Sequence, residues 1–150
     1  MVQSQVEIIS ESTVDGSFEN LDGEALIRLR NGQLWLQVSK PYFFQYKYAP
    51  NALIIRQEKK YYMKIEEPDE MFSVIPYLGE FIDSSIVGTF SGFGLGTKFN
   101  LSNGQIWEQI SNHSYYRYII NPRVFIYKPG NEYKIKIEGA SQRIGVKKIS

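Results

Sequence analysis

The sequence has no cysteine and a single histidine, His113. The missing thiols exclude a disulfide framework, a thiolate metal site and a cysteine nucleophile. One imidazole and no thiol exclude a Cys–His pair and a zinc site built from several His or Cys ligands. No apolar run approaches the about 18 residues of a membrane-spanning helix. The first stretch, Met1 to Glu24, holds six acids and no Lys or Arg, the reverse of a signal peptide's basic start. With Met1 taken as the start, the expectation is a cytoplasmic protein with no membrane partner. Sustained 3.6-residue periodicity is also lacking, which favours short strands over helices. At 43% apolar, 22% charged and 15% aromatic, the composition is that of a globular chain rather than a disordered or fibrous one.

What is present is a duplication. Asn31-Gly32-Gln33-Leu34-Trp35-Leu36-Gln37 returns as Asn103-Gly104-Gln105-Ile106-Trp107-Glu108-Gln109, 72 residues later. Sliding the chain by that offset without a gap makes 18 of the 63 positions from Ser12 to Val74 identical to their partners. Ordinary residue usage gives roughly four. Two units follow, 1–76 and 77–150, each near the lower size limit for independent stability. They are expected to dock pseudo-symmetrically, because Pro76–Asp83 is too short and too poor in Gly and Ser to be a flexible tether.

Each unit reads as short strands and turns. Ser12–Phe18 and Ser84–Phe90 open the copies with alternating apolar residues, and Met1–Ser10 before them reads as a strand or a short helix. Ala25–Arg30 and Gln33–Ser39 flank Asn-Gly, the strongest short hairpin signal and a type I′ turn. Aromatic segments follow at Tyr42–Tyr48 and Tyr115–Ile120, then strands at Ala52–Arg56, Tyr61–Glu66 and Phe72–Ile75. Their counterparts are Val124–Lys128, Tyr133–Glu138 and Ile144–Ile149. Glycine-rich Ser91–Gly96 reads as a turn; no helix follows to make it a phosphate cradle. Five or six short strands per unit predict an all-β chain of two tandem small β-barrels, Src-homology-3-like first and OB-like second.

The pattern in FNLSNGQIWEQ and IRLRNGQLWLQ, with Tyr-x-Tyr, Pro and Tyr-x-x-Lys-Ile-Glu after it, resembles a bacterial family of often tandem small β-barrel modules. The first copy departs from it at Leu36 and in its acidic loop, the second at Ser114. The resemblance implies the fold class and brings no activity with it.

A two-residue Asn-Gly turn pairs Arg30 with Gln33 and Arg28 with Trp35. Alternation then puts Ala25, Ile27, Leu29, Leu34, Leu36 and Val38 in the core. Leu26, Arg28, Arg30, Gln33, Trp35 and Gln37 face the other way. In the second unit Phe99, Leu101, Ile106 and Ile110 form the core, and Lys98, Asn100, Ser102, Gln105, Trp107 and Gln109 the opposite face. Each tryptophan therefore belongs to a polar face, either packed against the sister unit or forming a pocket for a small ligand or protein. Inter-unit packing is the first reading of Arg28, Gln33, Trp35, Gln37, Asn100, Gln105, Trp107 and Gln109.

Charge is uneven. The first 24 residues sum to −6, whereas Arg117 to Ser150 carries eight Lys/Arg against Glu132 and Glu138. Paired or solvated faces explain this blandly; a basic binding surface is the sharper reading. Tyr116, Arg117, Tyr118 and Arg123 interleave aromatics with cations, as a platform for single-stranded nucleic acid would. The aromatics recur as Phe43, Phe44 and Tyr46 with fewer cations, which favours packing. His113 has Pro41 as its counterpart and reads as a solvated loop residue, and Glu66-Glu67 and Asp69-Glu70 read as a solvated turn. The sequence thus points to a non-catalytic binding or interaction module without a cofactor. Its partner is a protein, a small ligand or a second copy paired at strand edges, with single-stranded nucleic acid as the alternative.

Overall fold

A computed structural model describes residues 6–18, 21–39, 47–66, 70–140 and 142–150. The aromatics Phe43, Phe44 and Tyr46 and the acids Glu67 and Asp69 lie outside the described residues. Alternating apolar positions become strands throughout, and the described residues contain no helix. The chain divides into two compact units, Met1–Leu78 and Gly79–Ser150. The first holds β1 (Glu7–Thr13), β2 (Ser17–Phe18), β3 (Leu26–Arg28), β4 (Leu34–Gln37), β5 (Lys47–Tyr48), β6 (Asn51–Gln57), β7 (Lys60–Ile65) and β8 (Glu70–Pro76). The second holds β9 (Phe81–Ser85), β10 (Thr89–Phe90), β11 (Lys98–Asn100), β12 (Ile106–Gln109), β13 (Ile119–Ile120), β14 (Arg123–Tyr127), β15 (Tyr133–Ile137) and β16 (Arg143–Lys148).

Six strands of the first unit form one sheet in the order β1-β6-β7-β8-β4-β3, and β2 pairs with β5. The second unit repeats this as β9-β14-β15-β16-β12-β11, with β10 on β13. All pairings are antiparallel. Each large sheet curls until its ends meet. Val14 bridges Leu29 in one unit and Ile86 bridges Leu101 in the other. Two backbone bonds flank the first bridge, Asp15 N–H to Arg28 (2.8 Å) and Arg30 N–H to Thr13 (2.9 Å). Their counterparts are Val87 to Asn100 (2.8 Å) and Ser102 to Ser85 (2.8 Å). The result is two barrel-like sheets.

Burial follows the pleat. In β6 and β7, Ala52, Ile54, Met63 and Ile65 point inward, and Ile54 opposes Met63. These residues are essentially inaccessible, so each contributes about 1.5–3 kcal/mol of burial. Val124, Ile126, Ile135 and Ile137 do the same in the second unit. The turn between β6 and β7 has two central residues, Glu58 (φ 53) and Lys59 (φ 65), and Gln57 pairs with Lys60 across it. That is the two-residue primed hairpin, made without glycine or asparagine.

The Asn-Gly turns are of another kind. Gly32 N–H donates to the Leu29 carbonyl (3.0 Å), and Leu29 N–H donates to the Gln33 carbonyl (2.9 Å). Gly32 is left-handed at φ +93, so the loop has three residues, Arg30-Asn31-Gly32: a type I turn closed by a glycine bulge. Leu101, Gly104 (φ +89) and Gln105 repeat it. One extra loop residue moves the register by one, and a one-residue slip exchanges the faces of the second strand. Ile27, not Arg28, therefore opposes Trp35, and Phe99 opposes Trp107. Leu34, Leu36 and Ile106 alternate with the tryptophans onto the other face, where Leu36 is nonetheless buried, as expected, opposite the buried Leu26; Val38 and Ile110 are exposed.

Candidate functional site

The register change dissolves the polar tryptophan face. Trp35 and Trp107 are 5% and 1% exposed and belong to the two hydrophobic cores. Trp35 packs on Tyr61 at 5.3 Å between ring centres, and Trp107 meets Tyr133 edge-on at 5.1 Å. Each indole N–H donates to a glutamine two residues back, Trp35 to Gln33 (3.2 Å) and Trp107 to Gln105 (3.0 Å). A buried indole needs such a partner, and a half-buried glutamine at the barrel rim provides it. Arg28 lies on the opposite side of β3 from the core, 3.5 Å from Asp15, and Asn100 is exposed on β11. The eight residues expected on one face are thus split between the core, its rim and the outside.

Gln37 and Gln109 are internal braces. Both are 1% exposed. Gln37 Oε1 accepts from the backbone N–H of Gly23 (3.0 Å) and Ala25 (3.4 Å), and its Nε2 donates to the Ser39 carbonyl (2.6 Å). Gln109 Nε2 donates to the carbonyls of Ser111 and His113, both at 2.8 Å, which gathers the loop after β12. Its Oε1 is buried with no donor. In the second unit Thr97 N–H bonds the Gly94 carbonyl (3.0 Å) within the glycine-rich turn instead.

That loop leads into the segment Tyr115–Ile120, which sorts its side chains by parity. Tyr115 exchanges both backbone bonds with Phe93 (2.9 and 3.0 Å), and their rings stack at 5.3 Å. Tyr115 and Ile119 pack on the core. Arg117 and Ile119 lie against Gly139, where a Cβ would come within 2.8 Å of Ile119 Cδ1 and 3.9 Å of Arg117 Nε. The alternate residues face solvent: Tyr116 is 93% exposed, Tyr118 72% and Ile120 68%. The segment is anchored from below at Gly92, where any Cβ would overlap the Tyr115 carbonyl oxygen and lie 3.1 Å from Tyr116 Cα. Ile120 continues the row as it enters β13, opposite Thr89.

The flanking sequence is poor in acid, although the exposed Glu138 adjoins Gly139, against which Arg117 lies. Between Asp83 and Glu132 the sequence has one carboxylate, Glu108, and Lys147 lies 3.9 Å from it. The same stretch has Lys98, Arg117, Arg123 and Lys128. Arg117 is exposed, and Arg123 lies 3.9 Å from Asp83 with half its side chain in solvent. Of the four residues expected on a nucleic-acid face, Tyr116, Arg117 and Tyr118 are contiguous and exposed; Arg123 stands at the start of the next long strand. The sequence marked the two tyrosines but not Ile120, whose signal is its even-numbered place in the same row. In the first unit the corresponding Tyr48 is also exposed.

Elsewhere the chemistry is sparse. A cleft of about 380 Å³ runs along β1 and β6, lined by Glu11, Ser12, Thr13, Asn51, Leu53 and Glu66 among others. Asn51 reaches Glu66 at 3.5 Å. Among the described residues no three His, Cys, Asp or Glu side chains cluster as metal ligands, and no helix is long and apolar enough to cross a membrane. His113 is exposed, and its contact with Gln109 is through its carbonyl. No family model, curated protein or solved structure matches the chain.

Proposed function

We propose that the chain is a non-catalytic binding module whose contact surface is the row Tyr116, Tyr118 and Ile120 on the second unit. One observation carries the reading: these side chains stand in solvent while Tyr115, just before the row, and Ile119, within it, pack on the core. A backbone anchored on either side of the row lowers the entropy cost of binding, which is then that of ordering the side chains alone. The expected Src-homology-3-like or OB-like barrel and the bacterial module family belong to the same proposal, supported by the short strands and closed seams. Edge pairing with a second copy is the weaker reading. Along β1 the register slips between Ile8 and Ser10, and Glu7 and Glu11 flank the slip, so this edge is a poor template.

The test is amide chemical-shift mapping of the full chain against three probes: a mixed-sequence oligonucleotide, a proline-rich peptide pool, and a panel of sugars and nucleotides. Shifts gathered on residues 115–120 with one probe, and no probe consumed, are expected. Turnover of any probe, or shifts that avoid this segment with all of them, refutes the proposal.

A further inference from the structure

Building on the binding-module reading, we infer that the row takes the bases of a single-stranded nucleic acid, one base lying between the rings of Tyr116 and Tyr118. The first support is spacing. Alternate residues of an extended segment are about 6.6–6.8 Å apart, twice the roughly 3.4 Å rise of bases along a strand. Two rings at that separation flank one base with both faces in contact. Rings exposed to 93% and 72% are free to turn into that arrangement.

Charge is the second support, and the duplication supplies the control. In the first unit the loop after the opening strands carries Glu19, Asp22 and Glu24; the matching positions in the second are Ser91, Gly94 and Gly96. The first unit has eight Lys/Arg against eleven Asp/Glu, net −3, and the second nine against five, net +4. The glycine-rich turn of the second unit, whose Phe93 pairs with Tyr115 at the start of the tyrosine row, therefore lacks the acids present at the matching sequence positions of the first. Arg117, between the two rings in sequence, is exposed with its side chain toward Gly139 and Ile119, so it would meet a phosphate at the edge of the row rather than between the rings.

Shape decides between this ligand and a peptide. Proline-rich peptides dock into aromatic-lined grooves, whereas Tyr116 and Tyr118 project from the surface. Stacking on such a platform accepts any base, because every base has a π face, but the base must be unpaired. The inference is thus selectivity for single strands over duplex, with little sequence preference.

The experiment is fluorescence anisotropy of a short labelled oligothymidylate with the full chain at low salt, beside a hairpin duplex of equal length. Y116A and Y118A are each expected to weaken binding about 5- to 100-fold, while Y116F and Y118F, which keep the rings, stay near wild type. Each phosphate contact adds about −0.7 to the log–log salt slope, so R117Q should flatten it by about 0.7. Binding unchanged by the alanine variants, or equal affinity for duplex, overturns the inference. If the oligonucleotide does not bind at low salt but residues 115–120 respond to the peptide pool, the nucleic-acid inference fails and the module reading stands. If they respond to nothing, both fail.

Discussion

Trp107→Ala measures the consequence of the three-residue turn directly. The indole is 1% exposed, hydrogen-bonded to Gln105 and set edge-on to Tyr133. Truncating a buried aromatic to alanine costs about 3–5 kcal/mol through lost burial and the cavity left behind. The second unit has 72 residues, and domains hold roughly 0.05–0.15 kcal/mol per residue, so its whole stability is about 4–11 kcal/mol. A loss of about 4 kcal/mol lowers its Tm by on the order of 15–30 °C. Urea unfolding followed by far-UV circular dichroism reads the change. Had the turn two residues, the indole would stand outside the barrel and its removal would cost under about 1 kcal/mol. A measured loss below about 1.5 kcal/mol with an unchanged spectrum refutes the register argument. Should Trp107→Ala fail to fold, Trp107→Phe keeps most of the volume and loses the bond to Gln105, for an expected cost of about 1–2 kcal/mol. Without any substitution, both indoles should resist a neutral aqueous quencher.

The paired glutamines predict an inequality. Gln37→Ala abandons one buried and one part-buried N–H group and a carbonyl, whereas Gln109→Ala abandons two carbonyls but also removes an acceptor that has no donor. Gln37→Ala should therefore be costlier by about 1–3 kcal/mol in the unfolding of its own unit, and the reverse order would sink the comparison. Gly92→Ala should cost more than about 2 kcal/mol, since its φ is +128 and the added methyl overlaps the Tyr115 carbonyl. Gly94→Ala, with open space around it, should stay within about 1 kcal/mol; equal losses in thermal unfolding would refute the idea that Gly92 seats the tyrosine segment.

Much of this was legible beforehand. The offset of 72 that aligns the sequences also carries β1 to β9 and every later strand to its counterpart, because duplicated alternation produces duplicated pleats. Loop parity was not legible. Asn-Gly suits a two-residue primed turn and a three-residue turn with a glycine bulge alike, since both require a left-handed residue at the glycine. That single residue decided whether Trp35 and Trp107 faced in or out. Conversely, Glu58-Lys59 makes the primed turn without its usual residues, held by the long strands on either side. For the tyrosine row the sequence supplied candidates but not exposure. Tyr115, Tyr116 and Tyr118 are equal as residue types; only the pairing of Tyr115 with Phe93 settles which of them turns inward.

The seam has its own consequence. Along most of each barrel, neighbouring strands share ladders of several residues, but the first and third strands touch through one bridged pair, Val14 with Leu29 or Ile86 with Leu101. A ring fastened by one short clasp has a preferred place to part. Breathing motions will concentrate there, so amides of Asp15 and Arg30, and of Val87 and Ser102, should surrender their protons before those of β6–β7 or β14–β15. Each barrel is better pictured as a bracelet than as a tube: its stiffness lies in the links, and its freedom in the fastening.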